Sequence, residues 1–274
     1  MQSHFAEFRQ FAAEVALAGG FVVQRYFRNL KTIERKEDAS PVTLADREAE
    51  EQMRGLITAR YPHHGIIGEE FGEDNATAEF VWVLDPIDGT KSFISGAISF
   101  GVLVALLFRG NPIIGVFYQP ILKDMLIGDN DETLHNGKPV RLRQQQDLRE
   151  ATLLATDHRH FERYGKGHPF NRLVRSVRLY RNWGDCYGYF LLATGYADVM
   201  MDAEMNIWDI APLVPIIHGA GGVITDYYGD SPFSQKGVIA AGSQLHAQAI
   251  HLLHPAGKGL RLPFVYADVN VSTN

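Results

Sequence analysis

Cysteine is almost missing from this chain. Cys186 stands alone, so no internal disulfide can form, and a reducing cytoplasm is the expected compartment. An excess of positive charge is missing too. The 26 Lys and Arg stand against 32 Asp and Glu, a formal net charge of −6. That balance offers no bulk attraction to nucleic acid or anionic lipid, and it favours cations, divalent metals included. Long hydrophobic runs are absent as well: the most apolar stretch, Ile98 to Phe108, falls far short of the roughly 20 residues a membrane span needs. The segment from His4 to Phe27 has Glu7, Arg9, Glu14 and Arg25 scattered through it and lacks the order of a signal peptide. No internal repeat or low-complexity tract occurs.

What is present is ample core-forming material. Hydrophobic residues make up 46% and aromatics 11% of the 274 residues, which excludes disorder and small disulfide-stapled folds. Phe5, Phe8, Ala12, Val15, Ala18, Val22 and Tyr26 recur at three and four, predicting an amphipathic first helix. A polar loop, Lys31 to Pro41, is expected next, and its polarity permits a mobile lid. Thr43 and Asp46 form a capping box for a second helix to about Arg60, with Ala45, Ala49, Met53, Leu56 and Ile57 buried and Arg47–Glu51 and Glu50–Arg54 pairs along it.

From Phe80 the pattern is that of strands: Phe80 to Leu84, then Ser99 to Phe108 and Ile113 to Tyr118 joined by the turn Arg109-Gly110-Asn111-Pro112. Asp124 to Gly128 and an Asn136-Gly137 turn continue an antiparallel sheet. The polar stretch from Arg141 to Glu150 is the best boundary, dividing residues 1–145, an α+β domain, from 146–274, an α/β domain in which strands and helices alternate.

The residues with the most chemistry are Asp85-Pro86-Ile87-Asp88-Gly89-Thr90, at the end of the strand Phe80 to Leu84. Pro86 bends the chain and Gly89 permits a tight turn, so the two carboxylates can converge with the Ile87 carbonyl between them. Hard oxygens gathered at one point are what magnesium requires. Gly89 and Thr90 add N–H groups and a hydroxyl where a phosphate could sit. The haloacid-dehalogenase pattern D-x-D-G-T is excluded because one residue too many separates the aspartates. Three further segments carry acids: Gly68-Glu69-Glu70 after a short apolar strand, Trp208-Asp209 opening a helix, and Thr43-Leu44-Ala45-Asp46. Taken singly, each has an ordinary explanation as a strand end, a macrodipole partner or a helix cap.

Taken together and in this order, these segments resemble the inositol monophosphatase family of metal-dependent sugar phosphatases, over roughly Phe5 to Leu252. The resemblance implies a layered α-β-α-β-α fold with the site between the two halves, magnesium as cofactor (two or three ions per site) and a homodimer. It implies Glu69, Asp85 and the Ile87 carbonyl as ligands of a first ion, and Asp85, Asp88 and Asp209 as ligands of a second. It implies Asp46 and Thr90, with Glu69, as the groups orienting an attacking water, and the N–H groups of Gly89 and Thr90 as phosphate donors. A small phosphomonoester is the expected partner. Physical chemistry agrees: cations must neutralise a phosphate dianion before water can attack it, and no convincing nucleophile is present.

For the alcohol, Asn182-Trp183-Gly184-Asp185-Cys186-Tyr187-Gly188-Tyr189 resembles the histidinol-phosphatase branch of that family. The resemblance implies that the segment from Arg181 to Asp202 packs over the alcohol, so that Asp185 and Asp202 put two carboxylates toward it, which suits a cationic substrate better than a neutral polyol. The alternatives are an inositol-1-monophosphatase or broad sugar-phosphate phosphatase, and a non-catalytic metal- or phosphate-binding regulator. A nucleotide 3′-phosphatase would need a basic patch that is not evident. Cys186 reads as a buried helical thiol, Tyr187 and Tyr189 as core, His158-Arg159-His160 as a solvated loop, and Gly219-Ala220-Gly221-Gly222 as a helix end.

Overall fold

Alternation along the strands sorts the core. In β11 (Thr152–Ala155), β13 (Val199–Asp202) and β15 (Val238–Ala241), Leu154, Met200, Val238 and Ala240 pack into one apolar cluster, whereas Leu153, Ala155, Val199, Met201, Ile239 and Ala241 pack into another. The same parity splits β5 (Phe80–Asp88) and β6 (Gly101–Phe108): Trp82, Leu84, Val102, Val104 and Leu106 face one way, Val81, Val83, Leu103, Ala105 and Leu107 the other. Both sheets are therefore apolar on both faces and must be covered on both.

A computed structural model describes residues 2–29, 33–35 and 41–254, with the backbone alone for 2–4, 33–35 and 41–43. Among the described residues an eight-stranded sheet runs in the order β10 (Lys138–Pro139), β9 (Thr133–His135), β8 (Asp124–Gly128), β7 (Asn111–Gln119), β6, β5, β3 (Gly65–Gly68), β4 (Gly72–Asp74). Its pairs are antiparallel except β3 with β5. A five-stranded mixed sheet runs β12 (Leu179–Arg181), β11, β13, β15, β14 (Val223–Asp226). Helices α1 (Gln2–Tyr26) and α2 (Leu44–Arg60) cover the outer face of the larger sheet. Helices α6 (Asp185–Ala193) and α7 (Ile207–Gly219) lie between the sheets, and α4 (His158–Arg163), α5 (Gly167–Ser176) and α8 (Ser243–Leu253) cover the outer face of the smaller one. The layering is α-β-α-β-α, as expected.

Some local expectations change. The hairpin after β6 turns on Arg109 and Gly110 alone, both at positive φ, so Asn111 already belongs to β7. Segment 158–163 is the helix α4, capped by Asp157, instead of a loop, and α5 follows it. Leu56 is half-buried at the edge of its cluster. Within the expected polar loop, Ile33–Arg35 forms β1, paired with β2 (Pro41–Thr43); the lid question and the Thr43 side-chain cap lie outside the described residues.

Helix α7 comes unusually close to the larger sheet. Gly115 of β7 and Gly128 of β8 are direct cross-strand partners. A methyl group on the first would overlap the Pro212 carbonyl, and one on the second the backbone at Pro215 and Ile216. Two glycines side by side thus make a notch that seats the helix backbone.

Candidate active site

The end of β5 departs from regular pairing. Asp85 pairs with Leu103 and Asp88 with Gly101, so three steps on β5 answer two on β6. In an unbroken strand, residues three apart point to opposite faces. The bulge adds one residue, and Pro86, with no N–H for the ladder, is where such a break is tolerated. Asp85 and Asp88 consequently reach the same place. The Ile87 N–H donates to Asp85 Oδ1 at 3.0 Å, and Thr90 Oγ1 donates to the Ile87 carbonyl at 3.0 Å. The chain then turns through Gly89, at φ 89°, into the short helix α3 (Thr90–Ile94).

Asp209 arrives from the other side. It is the third residue of α7, where it forms a capping box: Asn206 N–H donates to Asp209 Oδ2 at 2.6 Å. One carboxylate oxygen each from Asp85, Asp88 and Asp209 lies within 4.8 Å of the others. Glu69 follows β3, its N–H donating to the Leu84 carbonyl at 3.2 Å, and stands beside them.

Burial, with the charges of neighbouring acids added to it, raises the proton affinity of all three aspartates. Burial, then the charges of Glu69, Asp88 and Asp209, holds Asp85 well above the ordinary carboxylate range. Burial and Asp209 push Asp88 up to about 8. Burial, with Glu69 adding to it, pushes Asp209 to about 7, against the opposing Asn206 N–H. A buried set of hard oxygens that would hold protons near neutral pH is a fit for a small divalent cation, which replaces those protons.

These groups open on a cleft of about 320 Å³. Glu69, Asp88, Gly89, Thr90 and Asp209 form one side, and Thr156, Asp185 and Asp202 another. Asp85 and Ile87 lie beneath the wall, almost fully buried. Asp46 is buried in the first turn of α2 and is not among the described residues on that wall. Asp185 accepts from Ser92 Oγ at 3.2 Å and does not cap its own helix. It adopts φ 50°, its N–H donates to Thr156 Oγ1 at 2.8 Å, and its carboxylate presses on Gly89, where a Cβ would meet it at 3.1 Å. Asp202 is buried at the end of β13; its carboxylate accepts from Thr156 N–H at 3.1 Å and from Tyr189 O–H at 3.2 Å. Tyr189 is thus both core and a partner of the cleft.

Sequence reasoning missed several groups. Glu50, read as half of a helix-surface pair, is fully buried; it holds Arg54 at 2.8 Å and accepts from the N–H groups of Glu70, at 2.7 Å, and Phe71, at 3.2 Å. It therefore braces the turn that presents Glu69. Cys186 is buried as expected, but its N–H donates to Asp88 Oδ2 at 2.5 Å, and burial beside Asp88 pushes the thiol well above its usual range. Asp157, His160 and Glu204 also line the cleft. The only signal for them was the density of acids and histidines near 157–160 and 202–204.

A buried cluster of carboxylates fit for a divalent cation, facing an acidic cleft between two sheets, is an arrangement suited to a metal-dependent phosphatase. The inositol monophosphatase family model matches residues 4–258, and the chain belongs to that family, whose members are metal-dependent phosphomonoester hydrolases. It is 41% identical over 263 residues to the chloroplastic bifunctional phosphatase IMPL2 of Arabidopsis thaliana, covering 90% of this chain and 76% of that one. It is 36% identical over 256 residues to the histidinol-phosphatase of Chlorobaculum parvum, covering 92% and 97%. Among solved structures, an inositol monophosphatase from Zymomonas mobilis superposes with a TM-score of 0.82 at 36% identity, covering 91% of this chain and 98% of that one. No described helix is long and apolar enough to cross a membrane.

Proposed function

We propose that the chain hydrolyses the phosphomonoester of a cationic amino alcohol, L-histidinol phosphate, with magnesium held by Glu69, Asp85, Asp88, Asp209 and the Ile87 carbonyl. The observation that carries the reading is Asp185 and Asp202 in the same cleft as the aspartate cluster, where Lys91 is the sole Lys or Arg among the described lining residues. Such a wall favours an ammonium over a neutral hydroxyl. The similarity to the Chlorobaculum enzyme supports it over nearly the whole chain.

Magnesium bound there supplies positive charge against the phosphate dianion and acidifies an attacking water. Glu69 takes the proton of that water and Thr90 orients it; Asp46, buried off the cleft wall at the start of α2, is assigned a positioning role on these two. The N–H groups of Gly89 and Thr90 hold phosphate oxygens. A bond forms from the water oxygen to phosphorus as the bond to the alcohol oxygen breaks; the leaving alkoxide takes a proton from solvent, and Glu69 gives up to solvent the one it took, so that the alcohol and phosphate are the products. Asp185 and Asp202 accept the ammonium and hold the alcohol in line.

One observation favours a polyol phosphate instead: each Asp202 oxygen already accepts an internal N–H or O–H, which leaves a site that hydroxyls can also satisfy. Phosphate release from L-histidinol phosphate and inositol 1-phosphate, with magnesium and with chelator, separates the two. A magnesium-dependent preference for the first supports the reading; equal or reversed rates overturn it. A homodimer and a cytoplasmic location are part of the same proposal, and light scattering tests the former.

A further inference from the structure

The cleft has a stretch of wall to which the proposed reaction assigns nothing. Strands β11 and β13 are parallel neighbours, with Ala155 opposite Met201. Ligands bind where the carboxyl ends of parallel strands face a crevice. Here the chain leaving β11 supplies Asp157 and His160, and the chain leaving β13 supplies Ala203, Glu204 and Met205, all on the cleft.

Each of these groups is held in place. Asp157 Oδ1 accepts the Arg159 N–H at 2.9 Å, and its Oδ2 lies 3.6 Å from His160 Nε2. The His160 ring packs edge-on against Tyr164. Glu204 is anchored by Lys236 Nζ at 2.8 Å. Met205 is buried, and its sulfur lies 3.2 Å from the Tyr189 hydroxyl oxygen, whose one hydrogen goes to Asp202. Each carboxylate keeps lone pairs for a further donor. The Met205 thioether and the Ala203 methyl offer an apolar surface of the kind that aromatic faces favour.

Two oriented carboxylates beside a small apolar face suit one kind of group: a flat nitrogen heterocycle whose N–H edges are donors. We propose that Asp157, Glu204 and Met205, with His160 positioning Asp157, determine specificity by reading such a ring, attached a few atoms beyond the ammonium. The inference rests on the proposed reading, in which Asp185 and Asp202 take the ammonium.

The test compares L-histidinol phosphate with L-alaninol phosphate, which keeps the ammonium and lacks the ring, and with glycerol 2-phosphate, which lacks both. In the wild-type enzyme, alaninol phosphate should be hydrolysed with a higher kcat/KM than glycerol 2-phosphate; failure there overturns the cationic reading itself. In Asp157→Asn and Glu204→Gln, the kcat/KM ratio of histidinol phosphate to alaninol phosphate should fall about tenfold, mainly through KM, the scale of one charge-assisted hydrogen bond. Asparagine and serine both preserve the α4 cap, so Asp157→Ser serves if the first variant does not fold. An unchanged ratio in folded variants overturns the inference and leaves the cationic reading intact.

Discussion

The wall of the cleft that comes from the eight-stranded sheet and the wall that comes from the five-stranded sheet are both acidic, yet they are built differently. On the first, Asp85 and Asp88 belong to one strand that a bulge has re-aimed, and Asp88 is held from behind by the Cys186 N–H. The carboxylates there face one another, and without a cation they hold protons. On the second, Asp157, Asp202 and Glu204 come from loops and strand ends, and each already has a donor or cation of its own. Carboxylates that repel one another need a cation to complete them. Carboxylates that are already satisfied can be exchanged for other polar groups at lower cost, which is what selectivity requires.

The two walls should therefore respond differently to loss of charge. The largest effect belongs to the first. Asp85→Asn or Asp209→Asn should lower phosphate release by about a thousandfold or more on every substrate, since the proposed metal centre serves all of them. A variant that folds and keeps a tenth of its activity would break the assignment. A smaller and more selective effect belongs to the second wall. Asp185→Ala or Asp202→Asn should lower the ratio of histidinol phosphate to inositol 1-phosphate turnover by about ten- to a hundredfold, and a parallel fall on both substrates would erase the distinction.

The smallest effect concerns stability. In the chelated protein Asp88 and Asp209 keep protons up to about 8 and 7, whereas the unfolded chain releases them near the ordinary carboxylate value of about 4. Folded pKa values raised in this way favour the folded state at low pH, and that contribution is lost as pH climbs from about 4 through 8. Thermal melts of the chelated enzyme should therefore show Tm falling over that window. Added magnesium should raise Tm by a few degrees, more at pH 8 than at pH 5. A magnesium effect independent of pH would show that these aspartates are not the groups that bind it.

The same contrast explains what could be read from the sequence. The long helices and the strand into Asp85 were legible because periodicity is a local signal, and the five-layer arrangement only through the family resemblance that the ordered acidic motifs carry. The bulge was not: it depends on how β5 pairs with β6. Glu50 looked like a surface acid because i,i+4 spacing does not reveal that the turn after β3 folds over it. Segment 158–163 is short and polar, so its helix depends on the Asp157 cap and on Phe161 stacking over Phe170. Asp185 was singled out, but its contact with Ser92 joins positions 93 residues apart, beyond the reach of any local pattern.

The notch made by Gly115 and Gly128 has a consequence for the width of the cleft. Helix α7 is the spacer between the sheets, and its first turn carries Asp209. How deeply it sinks is set by two side chains consisting of hydrogen alone. A larger residue at either position would act as a wedge, lifting the helix and drawing Asp209 away from Asp85 and Asp88 without altering any acid. The seat of the helix that carries Asp209 is thus built in the packed interior of the molecule, away from the residues that line the cleft.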